Sequence, residues 1–231
     1  MISVIIPIHN QADKIEACLD SLLAQSEKDW EIILVDDGST DNLKAVVEKY
    51  KNIIPAEKFK FFSKANEGSN PTRNFGFSKS KGDYLLFCDA DLIMETKMLM
   101  TMKQALEKHG EASFVFSSFK YGQKLFKLFP YDIERLRTMP YIHTSSLIRR
   151  ADFPGFDPSI KRLQDWDLWL TMMEKGKIGF WIDEVLFMTQ LGGGHISRWL
   201  PKAAYKLLPW LPRVRNYNAA VEIIKSKHHL N

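Results

Sequence analysis

The sequence predicts an α/β fold built on a central, mostly parallel sheet. Three observations carry that prediction. The first ninety residues alternate apolar, β-branched runs with segments of helical periodicity. The first run, Ile2–Ile8, has the composition of a strand covered on both faces. A polar cluster follows directly after each expected strand, and ligands of open α/β sheets bind beyond the carboxyl ends of the strands.

After the first strand, Ala12–Gln25 carries Ile15, Leu19, Leu22 and Leu23 at helical spacing. Glu31–Val35 reads as a second strand and Asn42–Tyr50 as a helix, with Thr40 or Asp41 as its N-cap. Phe59–Phe62 is a short third strand, Pro71–Ser80 a helix with proline in its first turn, and Asp83–Cys88 the fourth strand. Repetition at this length implies right-handed crossovers. Beyond Asp91 the alternation fades. Glu95–His109 reads as a helix, Ala112–Phe119 and His143–Arg150 as strands, and Leu163–Lys175 as a helix. Two further strands, Ile178–Ile182 and Val185–Met188, close a mixed half with no linker to the first.

At 231 residues, 45% hydrophobic and 26% charged, the chain suits one sizeable domain with a short appendage. Cys18 and Cys88 are its two cysteines, without metal-ligand spacing, which points to a reducing cytosol. The chain enters an apolar strand directly, so no signal peptide is expected, and no apolar run reaches the length of a membrane span. Charge is unevenly placed. From Ile196 onward seven cations face Glu222 alone, a net +6 against +4 for the whole chain.

The residues beyond the strand ends are Pro7-Ile8-His9-Asn10, Asp36-Asp37-Gly38-Ser39, Ser63–Glu67 and Asp89-Ala90-Asp91. Asp89 and Asp91, spaced i and i+2, are expected on one face of the strand end. Two carboxylates so placed repel each other, and a divalent cation with a bound phosphate relieves that repulsion through oxygen ligands.

Five ordered blocks then resemble one family. Ser3–Asn10, Val35–Asp41, Asn66-Glu67-Gly68 with Arg73-Asn74, Gly82–Asp91 and Gln164–Trp169 are similar to family 2 glycosyltransferases. The match runs from residue 1 to about residue 190. The resemblance implies a GT-A fold over residues 1–195, with a Rossmann-like nucleotide-binding half (1–91) fused to a smaller mixed acceptor half (92–195). Residues 196–231 would be a basic, aromatic extension.

It also implies roles. Pro7, His9, Asn10, Asp36, Asp37, Lys64, Asn66, Arg73 and Asp89 would bind the nucleotide, with Asp36 or Asp37 accepting from the base. Asp91, with Asp89 and His195, would hold Mn²⁺ or Mg²⁺ against the diphosphate leaving group. Asp165 would be the general base of an inverting transfer, with Gln164 and Trp166 meeting the acceptor or sugar. Gln164 stands where the family usually has an acidic residue. His143 would face the acceptor cleft if its strand borders it.

The implied partners are a nucleotide sugar, UDP-linked by preference, and a glycan or lipid-linked acceptor. The alternatives are a non-catalytic binding module of the same fold and a sugar nucleotidyltransferase. The latter needs a glycine-rich basic loop after the first strand, where this chain has His9-Asn10-Gln11-Ala12. In the tail, Arg198, Lys202 and Lys206 form one helical stripe among Trp199, Tyr205 and Trp210, so residues 198–213 could lie on an anionic membrane or dock on the body. That composition suits a cytoplasmic enzyme, peripheral on the inner face of the membrane. Nucleic acid is not an expected partner, because the cations sit in the tail without a binding motif.

Overall fold

The computed structural model describes residues 1–190 and 210–230. Its elements, in chain order, are β1 (Ile2–Ile8), α1 (Ala12–Leu23), β2 (Trp30–Asp37), α2 (Leu43–Lys51), β3 (Phe59–Lys64), α3 (Ser69–Lys79) and β4 (Tyr84–Phe87). There follow β5 (Leu92–Met94), α4 (Met98–Lys108), β6 (Phe114–Tyr121), β7 (Lys124–Phe126), α5 (Ile133–Thr138) and β8 (Leu147–Arg149). The series ends with α6 (Gln164–Glu174), β9 (Gly179–Thr189) and α7 (Pro212–Lys227).

One sheet runs through both halves in the order β3-β2-β1-β4-β8-β6-β9-β5, with β7 paired to β6. Strands β3, β2, β1 and β4 are mutually parallel, as the alternation predicts. Strand β8 is antiparallel to both β4 and β6, and β9 is parallel to β6. Two reversals cancel, so β6 and β9 point the same way as β4. Their C-terminal ends therefore share one edge with those of β1 to β4.

Side-chain alternation divides the core between the two faces of the sheet. Val4, Ile6, Ile32 and Leu34 pack with Cys18, Leu19 and Leu22 of α1, Val47 of α2 and Leu99 and Met102 of α4. Ile5, Ile33 and Val35 belong to the opposite cluster, with Trp166, Trp169 and Met172 of α6 and Ile224 of α7. Helix α3 lies close on this second face, where a Cβ on Gly76 would meet Ile5 Cγ2 at 2.4 Å. Glycine permits that approach.

Several elements depart from the sequence expectation. The strand expected over His143–Arg150 is confined to Leu147–Arg149. Upstream, Ser145 N–H donates to His143 Nδ1, Ser145 Oγ to the Phe87 carbonyl and Ser146 Oγ to the His143 carbonyl, replacing ladder bonds. The two strands expected around Ile178–Met188 are one strand, β9, whose register with β6 shifts near Ser117 and Ser118. Neither Thr40 nor Asp41 caps α2; Asn42 holds that position without a side-chain bond. Asp41 Oδ2 instead accepts from Ala12 N at 2.8 Å, at the start of α1. The short β5, β7 and α5, and the long α7, were not expected from the pattern.

Candidate active site

The strand ends bring together the clusters that are distant in sequence. At the end of β1, His9 and Asn10 are exposed, while Pro7 lies within the strand. His9 Nδ1 donates to the Asp37 carbonyl at 3.0 Å, and Nε2 accepts from Asn10 Nδ2 at 3.2 Å, which assigns the tautomer. Asn66 Nδ2 lies 3.2 Å from the same Nδ1. Asn10 adopts φ 51°, and its side chain accepts from Thr40 N at 2.8 Å, lacing β1 to the turn after β2.

Asp36 and Asp37 are both buried. Asp36 accepts from Ser39 N at 2.8 Å and Ser63 Oγ at 2.9 Å. Asp37 accepts from Lys64 Nζ at 3.1 Å, Glu67 N at 3.0 Å and Gly68 N at 2.9 Å. Burial pushes the Asp37 carboxyl upward, but these donors outweigh it and hold the group below its ordinary range. Gly38 at φ 77° completes the turn, and a Cβ there would stand 3.0 Å from Asn66 N. The pair thus builds the wall between β2 and the 64–68 turn, and carboxylate oxygens with spare lone pairs can still accept from a base.

Asp89 and Asp91 lie beyond β4, in the turn leading to β5, rather than on the strand. Asp89 is half-buried, and Arg73 donates to its Oδ1 from a terminal nitrogen at 2.9 Å. Asp91 is buried, and burial with the neighbouring Asp89 charge pushes its pKa up to about 6, opposed by Lys14. Lys14, itself buried in α1, was not singled out from the sequence. Its signal was its row: Lys14, Cys18 and Leu22 recur every fourth residue on the apolar face of α1.

Arg73 joins the two halves. Besides Asp89 it donates to Asn70 Oδ1 at 3.3 Å and Gln164 Oε1 at 3.5 Å, and its guanidinium lies 5.2 Å from the Phe156 ring centroid. Its Nε is buried with no hydrogen-bond partner among the described residues. Gln164 also donates to Ser69 Oγ at 2.8 Å. The neutral amide therefore accepts from Arg73 and donates to Ser69 at once, whereas a carboxylate could meet Ser69 only by accepting its hydroxyl proton.

Asp165 is the second residue of α6, with Oδ1 accepting from its neighbour Trp166 N at 2.8 Å. Burial raises its pKa, while the Trp166 N–H bond, His143 and Arg73 pull the other way. His143, expected at the acceptor cleft only if its strand bordered it, precedes the short β8. It packs at 5.0 Å between the rings of Phe119 and Phe187, and burial keeps it toward the neutral form despite the fields of Asp89 and Asp165. Trp166 is a correction. Its side chain is 1% exposed and its Nε1 donates to the Leu136 carbonyl, so it packs the core and offers no face to a sugar. The helical period put an aromatic beside Asp165 but did not say which way it turns.

Among the described residues no three His, Cys, Asp or Glu side chains group as a metal cage. Asp89 and Asp91 fit a hard divalent cation as a partial oxygen set, because a cation between them would offset the repulsion that raises Asp91. His195 lies outside the described residues.

Residues 3–160 match the family model described as glycosyl transferase family 2. The chain belongs to that family. An uncharacterised glycosyltransferase of Rickettsia conorii is 32% identical over 213 residues, covering 84% of this chain. The chain spans only 33% of that relative's length. A Bacillus subtilis protein named for teichuronic acid biosynthesis, TuaG, is 30% identical over 218 residues, covering 89% of this chain and 85% of its own. Among solved structures, Staphylococcus aureus TarS 1–349 in complex with UDP-GlcNAc superposes with TM-score 0.72 at 22% identity, over 89% of this chain and 63% of that one. A mannosyltransferase from Pyrobaculum calidifontis, in complex with GDP-Man and Mn²⁺, gives 0.70 at 16% identity, over 97% and 75%. The fold of this family 2 chain is the GT-A fold of those structures, a curled, mostly parallel sheet with helices on both faces.

Proposed function

We propose that the chain transfers a sugar from a nucleotide sugar to a hydroxyl group, with inversion at the anomeric carbon. The observation that carries this reading is Arg73, which ties Asp89 at the donor edge to Gln164, the neighbour of Asp165. A nucleotide base would sit against the wall made by His9, Asn10, Asp36, Asp37, Lys64 and Asn66, and the diphosphate near Arg73, Asp89 and Asp91. Asp89 and Asp91, completed by His195, would hold Mn²⁺ or Mg²⁺, which supplies positive charge to the leaving diphosphate. Asp165 removes the proton from the acceptor hydroxyl. The acceptor oxygen forms its bond to the anomeric carbon from the face opposite the diphosphate. The bond from that carbon to the phosphate oxygen breaks, and its electron pair leaves with the nucleoside diphosphate. Arg73 orients Asp89 and, through Gln164, the first turn of α6.

UDP is the first nucleotide to test, supported by the TarS complex with UDP-GlcNAc; the GDP-Man complex makes GDP the second. The acceptor in this reading is a cell-surface polysaccharide or a lipid-linked glycan; the relative TuaG is named for teichuronic acid biosynthesis. No helix among the described residues is long and apolar enough to cross a membrane. Peripheral attachment would rest on residues 198–213, of which 198–209 lie outside the described residues; Trp210 is 69% exposed. Such attachment would make the chain a cytoplasmic enzyme on the inner membrane face, where lipid-linked acceptors lie.

The test is product analysis. Incubated with Mn²⁺ and UDP-GlcNAc, UDP-glucose, UDP-galactose or GDP-mannose over anionic vesicles carrying undecaprenyl phosphate-linked sugars, the chain should release one nucleoside diphosphate and form a linkage of inverted configuration. Retention of configuration would refute the inverting mechanism, and intact donors throughout would refute the transferase.

A further inference from the structure

The last described residues of the chain dock on the helix that carries Asp165. Lys227 Nζ lies 2.6 Å from Asp167 Oδ1 and 2.7 Å from Asp157 Oδ2. His228 Nε2 lies 2.9 Å from the same Asp167 Oδ1, and Nδ1 lies 2.8 Å from Glu174 Oε1. Asp167 is 2% exposed and His228 5%. A buried carboxylate held by an ammonium and an imidazole is an expensive arrangement to build and a strong one once built. None of these residues belongs to the strand-end clusters of the donor edge.

What the cluster holds is strained. Leu163, the residue before Gln164 and Asp165, adopts φ 56° and ψ 37°, a left-handed conformation that a branched side chain disfavours. Asp167 N–H closes that turn on the Leu163 carbonyl at 3.0 Å, so one residue secures the turn by its backbone and the chain end by its carboxylate. On the other side, Asn70 Nδ2 donates to the carbonyls of Asp157 at 2.8 Å and Ile160 at 3.1 Å, and Asn70 Oδ1 accepts from Arg73. Lys227 thus grips the segment before α6 through Asp157 and α6 itself through Asp167, with the strained turn between them.

We propose that Lys227, His228 and Asp167 form a clamp of positioning residues that fixes Asp165 for proton removal by holding the left-handed turn at Leu163. The clamp rests on the reading of Asp165 as the general base. It also gives the site a pH-dependent support. Both ring nitrogens of His228 face carboxylate oxygens, an arrangement that an imidazolium satisfies. Burial opposes the charge, but Asp167 and Glu174 outweigh it and raise the pKa above its ordinary value. The charged groups around the ring are Asp167 and Glu174 from α6, Lys227 from the end of α7 and Asp157 facing Lys227 from the preceding segment. A raised histidine pKa stabilises below the unfolded value near 6.5 and loses that contribution as pH rises through the folded value. The clamp therefore loosens on the alkaline side.

The test uses the full chain, its Asp167→Asn/His228→Gln variant and the His228→Gln single variant, which retains the Lys227–Asp167 pair. Amide hydrogen exchange over residues 163–170, UDP affinity by calorimetry and turnover at saturating donor are measured for each. In the double variant exchange in the first turn of α6 should accelerate by about tenfold or more, and kcat should fall by about tenfold, with UDP affinity within about twofold. Adding Leu163→Gly, which relieves the left-handed strain, should recover part of the kcat. In the parent chain, exchange over this turn should rise between pH 6 and 9 by more than the intrinsic chemistry requires, and His228→Gln should remove that excess. This last comparison needs no fold-threatening change. Unchanged exchange in the first turn, or kcat and UDP affinity falling together, would overturn the clamp. Full turnover in Asp165→Asn would instead overturn the general-base reading and leave the exchange result standing.

Discussion

Replacing Asp165 with asparagine is expected to lower transfer by about 10²–10⁴-fold, the range attributed to a positioned general base, with UDP affinity unchanged. The substitution is nearly isosteric. Asparagine Oδ1 can still accept the Trp166 N–H bond made at the start of α6, so the helix should keep its entry. What disappears is the capacity to take a proton. Burial already disposes this carboxylate toward a higher pKa, so the group is spending its solvation to become a better base. Rates from a donor-saturated, acceptor-dependent assay, read beside UDP calorimetry, separate the two effects. Transfer within a few-fold of the parent chain would assign the proton to another group, and His143 would be the next to change.

The second large effect is on the nucleotide wall. Asp37 is 4% exposed and satisfies an ammonium and two backbone N–H groups. Asp37→Ala strands the two backbone N–H groups and leaves the Lys64 ammonium to Glu67 and the Ala65 carbonyl alone, in a site closed by Gly38 and Asn66. Breaking a buried, hydrogen-bonded charge costs about 3–5 kcal/mol, which for a chain of this size lowers Tm by about 10 °C. UDP binding should fall in the same variant, because the 64–68 turn loses what fixes it to β2. Scanning calorimetry with and without UDP checks both. A Tm within a degree or two of the parent value would mean that water serves the turn amides and the existing Glu67 pair suffices for Lys64, and that the wall is not built as described.

The legible part of this chain is the part where one period dominates. Ile2–Ile8 and the residues of β2 alternate between two cores, and both faces are covered, so their apolar runs have no competing reading. The strand-end clusters follow, because topology alone sends them to one edge. Legibility ends where a side chain must choose a direction. The pattern set Trp166 beside Asp165, yet its ring turns into the core against Leu136, since the apolar side of α6 includes positions 166, 168, 169 and 170. The Asp-x-Asp spacing was read as a strand face, whereas the pair occupies a turn before the three-residue β5, too short to leave a period. Helix α7 was missed because charges and asparagines interrupt its apolar row of Val214, Ala220 and Ile224, and because Lys227 and His228 at its end, polar residues that a sequence reads as solvated, join in its docking. Lys14 was passed over for the same reason. Buried ionisable groups are invisible to a rule that puts charge outside.

The most direct test of a metal-dependent nucleotide-sugar site is a calorimetric titration of UDP into the chain, with Mn²⁺ and again with chelator. Binding with Mn²⁺ that vanishes with chelator, and vanishes in Asp91→Asn with Mn²⁺ present, is the predicted result. Absence of binding for UDP, GDP and dTDP alike, with metal, would contradict the assignment of this edge as a donor site.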